Sequence, residues 1–109
     1  MSENINVTTA ERDILGAVGE AMSLDQKSFD LLFYAYRSIK IQGNAFKIDL
    51  MQIISLGIPI YNTLAELKSV PVQEIAKAAN ERSVTYNEVK QAFAKMTSKD
   101  GVFYKPVKL

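Results

Sequence analysis

The chain has 109 residues, no Cys, no His and a formal net charge of +1 at pH 7. That length suits one domain. The missing residue types exclude thiol nucleophiles, disulfides, imidazole bases and the usual transition-metal ligands, and the balanced charge supplies no global field for nucleic acid or an anionic surface. Apolar residues make up 48% and charged residues 23%, which is the composition of a folded chain rather than a disordered one. The charge is unevenly spread: residues 1–70 carry six Lys/Arg against eight Asp/Glu, and residues 71–109 carry seven against four. Such mild polarity is ordinary for a solvated surface. The longest apolar run, Ile53 to Tyr61, is short and interrupted by Gly57 and Pro59, so no bilayer span is expected. Met1-Ser2-Glu3-Asn4 has neither the basic nor the apolar part of a secretion signal.

In chain order, residues 1–8 are expected to be frayed. A first helix is predicted from Ala10 to Met22, capped by Thr8 or Thr9, with Glu11 and Asp13 at its positive end. Ile14, Leu15, Val18 and Met22 fall at helical spacing, and Gly16 and Gly19 allow close approach of a neighbour. Ser23-Leu24-Asp25-Gln26 reads as a capping box for a second helix, Leu24 to Ile41. That helix is apolar nearly all round, which marks it as central or shared with a partner. Gly43 ends it, and Asn44 is expected to cap a third helix, Ala45 to Leu56, with Phe46, Leu50, Met51, Ile53 and Ile54 inward.

Gly57 is expected at positive φ, so that Pro59 can open a fourth helix to Leu67. Pro71 repeats the device for a fifth, Val72 to Ala79. Thr85-Tyr86-Asn87-Glu88 is a further capping box, stapled by Val84 and Val89, for a sixth helix from Tyr86 to Met96. A turn at Gly101 leads to Val102-Phe103-Tyr104, a short extended or docking segment. No stretch alternates well enough to read as a strand. The expected fold class is therefore all-α: one domain over residues 1–109, a compact bundle of five or six short helices joined by tight turns at Gly43, Gly57, Pro59, Pro71 and Gly101.

Little in this chain carries chemistry. Glu11 with Asp13, Glu66 and Glu74 could serve as acid and base, but each reads more simply as helix-end or surface charge. The Ser–Lys neighbours Lys68-Ser69 and Ser98-Lys99 fall in predicted turns, and Gly16-x-x-Gly19 has no preceding strand and is no dinucleotide fingerprint. No catalytic residue, cofactor or metal is expected. Residues 72–96 have the size of a helix-turn-helix, with Lys90, Lys95 and Lys99 placed for phosphates. The connection Asn80 to Thr85 is longer than the usual three or four residues, and a plain hairpin packed by Ile75, Ala79, Val89 and Phe93 is the simpler reading. A small DNA-binding domain of a phage regulator is the alternative function, although no specific nucleic acid is expected. The candidate partner surface is Phe29, Phe33, Tyr36, Phe103 and Tyr104, with Tyr34 in the same aromatic run.

Residues 57–67 (GIPIYNTLAEL), VPVQEIAKAA and SVTYNEVKQAFAKMTSKDGVFY, preceded by AYRSIKIQGNAFKIDLMQIISLG, carry a resemblance. Over Leu24 to Pro106 the chain resembles a segment of the tail tape measure proteins of long-tailed phages and prophages. The matching positions are Gly43, Leu50, Gln52, Gly57, Pro59, Leu64, Val72, Ile75, Val84, Phe93, Met96, Gly101, Phe103 and Tyr104. The resemblance implies a non-catalytic role in tail length determination and assembly. It also implies protein partners among the tail tube, the tail tip and assembly chaperones, and a path from host cytoplasm to virion tail. A homo-oligomer is a further expectation. The chain departs from the family where Asn80-Glu81-Arg82-Ser83 replaces a Gly-containing turn, and where Asp100-Gly101-Val102 replaces Gly-Gly. The family runs on beyond Tyr104, so the chain is expected to be an excised piece or a short relative.

Overall fold

A computed structural model describes residues 7–98 and 101–103. Six helices are joined by short turns: α1 (Thr9–Ala21), α2 (Gln26–Gln42), α3 (Lys47–Ser55), α4 (Ile60–Lys68), α5 (Val72–Asn80) and α6 (Tyr86–Thr97). The all-α expectation holds, with one small addition. Two two-residue strands, β1 (Asn44–Ala45) and β2 (Val84–Thr85), pair antiparallel with Asn44 opposite Thr85 and Ala45 opposite Val84. Segments this short have no alternation to detect.

Helix starts follow local chemistry. Thr8 caps α1 by accepting from the Glu11 amide at 3.1 Å, and Glu11 accepts from the Thr8 amide at 2.9 Å. Thr85 and Glu88 form the same reciprocal box at α6. The pattern Ser23 to Gln26 misleads: α2 is capped by Asp25, which accepts from the Ser28 amide at 2.8 Å. Ser23 is instead used to close α1. It takes φ +54°, and the Leu24 amide bonds back to the Gly19 carbonyl. The same six-to-one closure recurs at Ser69, where Val70 reaches Ala65, and at Arg82, where Ser83 reaches Ala78. Gly43 and Gly57 close α2 and α3 at φ +82° and +90°. So five helix ends pass through a left-handed residue, three of them not Gly, at a cost of about 1 kcal/mol each.

At Gly57 this closure turns the chain by 117° between α3 and α4. Gly101 is needed for space: a Cβ there would collide with the backbone carbonyls of Lys95 and Met96. The amide of Phe103 donates to the Met96 carbonyl at 2.7 Å, folding this segment back onto α6.

The α2–α3 and α5–α6 connections lie side by side. Beyond the β1–β2 pair, the Tyr86 amide donates to the Gly43 carbonyl at 2.8 Å and the Asn44 side-chain amide donates to the Arg82 carbonyl at 2.8 Å. The Arg82 guanidinium stacks 4.8 Å from the Phe46 ring centroid. Asn44 therefore does not cap α3, whose N-cap is Phe46 with no side-chain bond. A bond between residues far apart in sequence has displaced a local one.

Helix α6 packs between α1 and α4 and also touches α2. Helices α5 and α6 each pack on α4 rather than chiefly on one another, so the hairpin expected from Ile75, Ala79, Val89 and Phe93 is not a direct pair of helices. All four residues are buried, but in a core shared with Leu15, Val18, Leu32, Tyr36, Ile39, Leu50, Ile53 and Leu64. Met51, expected inward, is exposed, and Phe46 and Ile54 are half-buried.

Candidate interaction surface

Two places gather polar or unpartnered groups: a closed cluster inside the fold and an open groove on it. The closed cluster centres on Glu11, only 3% exposed. One carboxylate oxygen accepts from the Thr8 amide and from Lys40 Nζ at 2.7 Å. The other accepts from the Tyr36 hydroxyl at 2.5 Å and from the Tyr86 hydroxyl. Burial pushes the Glu11 carboxyl up, but the bonds from Lys40, Tyr36, Tyr86 and Thr8 together outweigh it and hold it well below the usual carboxylate range. Burial and the Glu11 charge raise both phenols. The Tyr36 ring also meets Tyr86 and Phe93 edge-on, at 6.0 and 5.7 Å between centroids. Each carboxylate oxygen of Glu11 takes two hydrogen bonds, and the residue is buried. The cluster ties α1, α2 and α6 together and leaves no room for a reacting group.

The other candidates for chemistry are dispersed. Asp13, Glu66 and Glu74 are exposed on three different helices. Lys68 pairs with Glu88 at 2.8 Å, and the Ser98 hydroxyl donates to the Lys95 carbonyl. Lys99 lies outside the described residues. Among the described residues no three of His, Cys, Asp or Glu gather as metal ligands would, and no single helix is long and apolar enough to cross a membrane.

The partner surface expected from the aromatic run needs correcting. Tyr36 is 2% exposed and belongs to the core. Phe29 and Phe33 are half-buried against that core; the Phe29 ring fills the space where Gly19 lacks a side chain, and Arg12 covers Phe33 at 5.0 Å. Phe103 also packs partly on the core. Tyr104 lies outside the described residues.

The exposed apolar side chains lie elsewhere. Leu31, Tyr34 and Ile41 of α2 and Ile48 and Met51 of α3 are five of the seven large exposed apolar side chains among the described residues. Tyr34 is 66% and Ile48 76% exposed. On α2, Leu31, Tyr34, Ser38 and Ile41 follow one another at spacings of three and four, so they form one stripe. The stripe borders a shallow groove of about 320 Å³ between α2 and α3, lined by Leu31, Tyr34, Ser38, Ile48, Asp49 and Gln52. Asp49 has one carboxylate oxygen, Oδ2, that is buried without a hydrogen-bond donor. Burial pushes its carboxyl up, against the bonds from the Phe46 backbone and the Ser38 side chain. The sequence signal for this face was the all-round apolar character of α2: once Leu32, Tyr36 and Ile39 are inward, Leu31, Tyr34 and Ile41 must be outward.

Comparisons with protein-family models, with curated proteins and with solved structures find no match for this chain.

Proposed function

We propose that this chain is a structural and assembly segment of a phage or prophage tail tape measure protein, acting in tail length determination without catalysis. The observation that carries the reading is the α5–α6 turn. The family resembled has Gly within this turn, and here Arg82 takes the left-handed conformation, φ +57°, that Gly adopts most easily. A Gly in this turn would favour the same left-handed conformation, which supports the reading. Other matching positions support the same reading: Leu50, Leu64, Ile75, Val84, Phe93 and Met96 are core residues, and Gly43 and Gly57 close helices. Gly101 stands where a side chain would not fit.

Such a segment works by presenting a folded surface to other tail components, among them tube, tip or chaperone proteins. The test is an in-frame deletion of the codons for residues 24–106 in the phage or prophage that encodes the chain. Electron microscopy of the particles is expected to show absent or abnormal tails. Tails of normal form and length would contradict the proposal.

A further inference from the structure

We propose that α1 is an exchangeable element: two copies of this chain form a domain-swapped dimer in which each α1 docks on α2 and α6 of the other copy. The exchange requires no tail component and is independent of the reading above. It follows from the connection between α1 and α2. The connections after α2, α3 and α4 contain Gly43, Gly57 with Pro59, and Pro71. The α5–α6 connection has neither Gly nor Pro, but β2 ties it to β1. Met22-Ser23-Leu24-Asp25, between α1 and α2, has no helix breaker and no strand. Its reversal passes through Ser23, which is exposed and takes φ +54°, a left-handed conformation that is unfavourable for most residues other than Gly. Met and Leu are strong helix formers, and Ser and Asp are accepted in helices. With Ser23 at ordinary helical dihedrals, α1 runs on into α2 and Thr9 to Gln42 becomes one helix. Straightening gives up the Asp25 cap of α2 and the bond from Leu24 to Gly19, and gains main-chain helix bonds across the junction.

Straightening carries α1 off its own core. Nothing has to reach the buried Glu11 from outside, because α1 leaves as a unit in a local opening or is not yet docked during folding. What it leaves behind is specific. The hydroxyls of Tyr36 and Tyr86 and the Nζ of Lys40 converge on one carboxylate, beside the core that Leu15 and Val18 fill. The α1 of a second copy carries that carboxylate and those two apolar side chains at the same spacing, so every docking contact is remade between chains. An unrelated acidic helix would have to reproduce all three positions. Closed and swapped forms then differ in the hinge and in the entropy of association, and a short hinge under strain favours the swap.

The test is to refold the full chain from urea at about 1 and about 500 μM and to separate the products by size exclusion. Monomer is expected at the low concentration and a slowly exchanging dimer at the high one. Ser23→Gly relieves the left-handed residue and disfavours a continuous helix, whereas Ser23→Ala favours the continuous helix. Two hinges act in each dimer, so the Ser23→Ala chain is expected to dimerise at least about a hundredfold more tightly than the Ser23→Gly chain. The position is exposed, so both variants are expected to fold. In a dimer refolded from equal parts of labelled and unlabelled chain, isotope-filtered NOE spectra should show Glu11–Tyr86 contacts between copies. Wild-type monomer at both concentrations overturns the proposal. So does a dimer equally tight for the two variants, or one whose Glu11–Tyr86 contacts lie within single chains.

Discussion

Replacing Glu11 with Ala is expected to destabilise the fold by about 3–5 kcal/mol, measured by urea unfolding at neutral pH. The side chain accepts four hydrogen bonds, and its loss strands donors that cannot all reach water. Lys40 is 12% exposed and can turn outward, but the Tyr36 hydroxyl is enclosed. The same substitution removes half of the α1 capping box. Tyr36→Phe removes a single donor and is expected to cost less, about 1–2 kcal/mol. The effect depends on pH in a definite direction. The folded-state carboxyl sits below its ordinary value of 4.5, so its contribution is complete above that value and is lost as pH falls below it. Wild-type stability should therefore decline on acidification more steeply than that of Glu11→Gln, whose amide does not titrate in this range. Parallel acid profiles of the two proteins would show that Glu11 is not the group responsible.

Leu32→Ala should cost about 2–5 kcal/mol. Leu32 has no exposed surface and lies on the inward face of α2 with Tyr36 and Ile39, against a core contributed by all six helices. A small domain is stable by only about 5–15 kcal/mol, so this one truncation removes a large part of the total. The contrast is Leu31, the adjacent residue, which is 39% exposed. Leu31→Ala should change stability by no more than about 0.5 kcal/mol. Equal effects at the two positions would mean that the orientation of α2 has been assigned wrongly.

Residues whose chemistry acts locally were readable from the sequence. Gly43, Gly57, Pro59, Pro71 and the Thr85–Glu88 box each set a boundary close to where it was expected, because a left-handed residue, a missing amide or a reciprocal cap works within a few residues. Features that depend on distant partners were not. Ser23 had the right neighbours for a cap, yet the closure of α1 used it first. Asn44 reached across to Arg82 instead of capping α3. Glu11 read as helix-end charge because its hydroxyl donors lie 25 and 75 residues further on. The aromatic run on α2 sits on a helix that is apolar nearly all round, so its periodicity does not say which side faces in. Tyr36, expected on the surface, faces the core, and Tyr34 is the exposed ring.

The central claim is of an assembly segment that works by presenting a folded surface, and the α2–α3 face carries five of the seven large exposed apolar side chains among the described residues. The most direct test is to introduce Ile48→Glu together with Tyr34→Ser into the protein in the particle that encodes it and to examine tails by electron microscopy. Both positions are exposed, so the isolated chain should melt within a few degrees of wild type while tails are absent or irregular in length. Normal tails from a chain carrying both substitutions would contradict the claim.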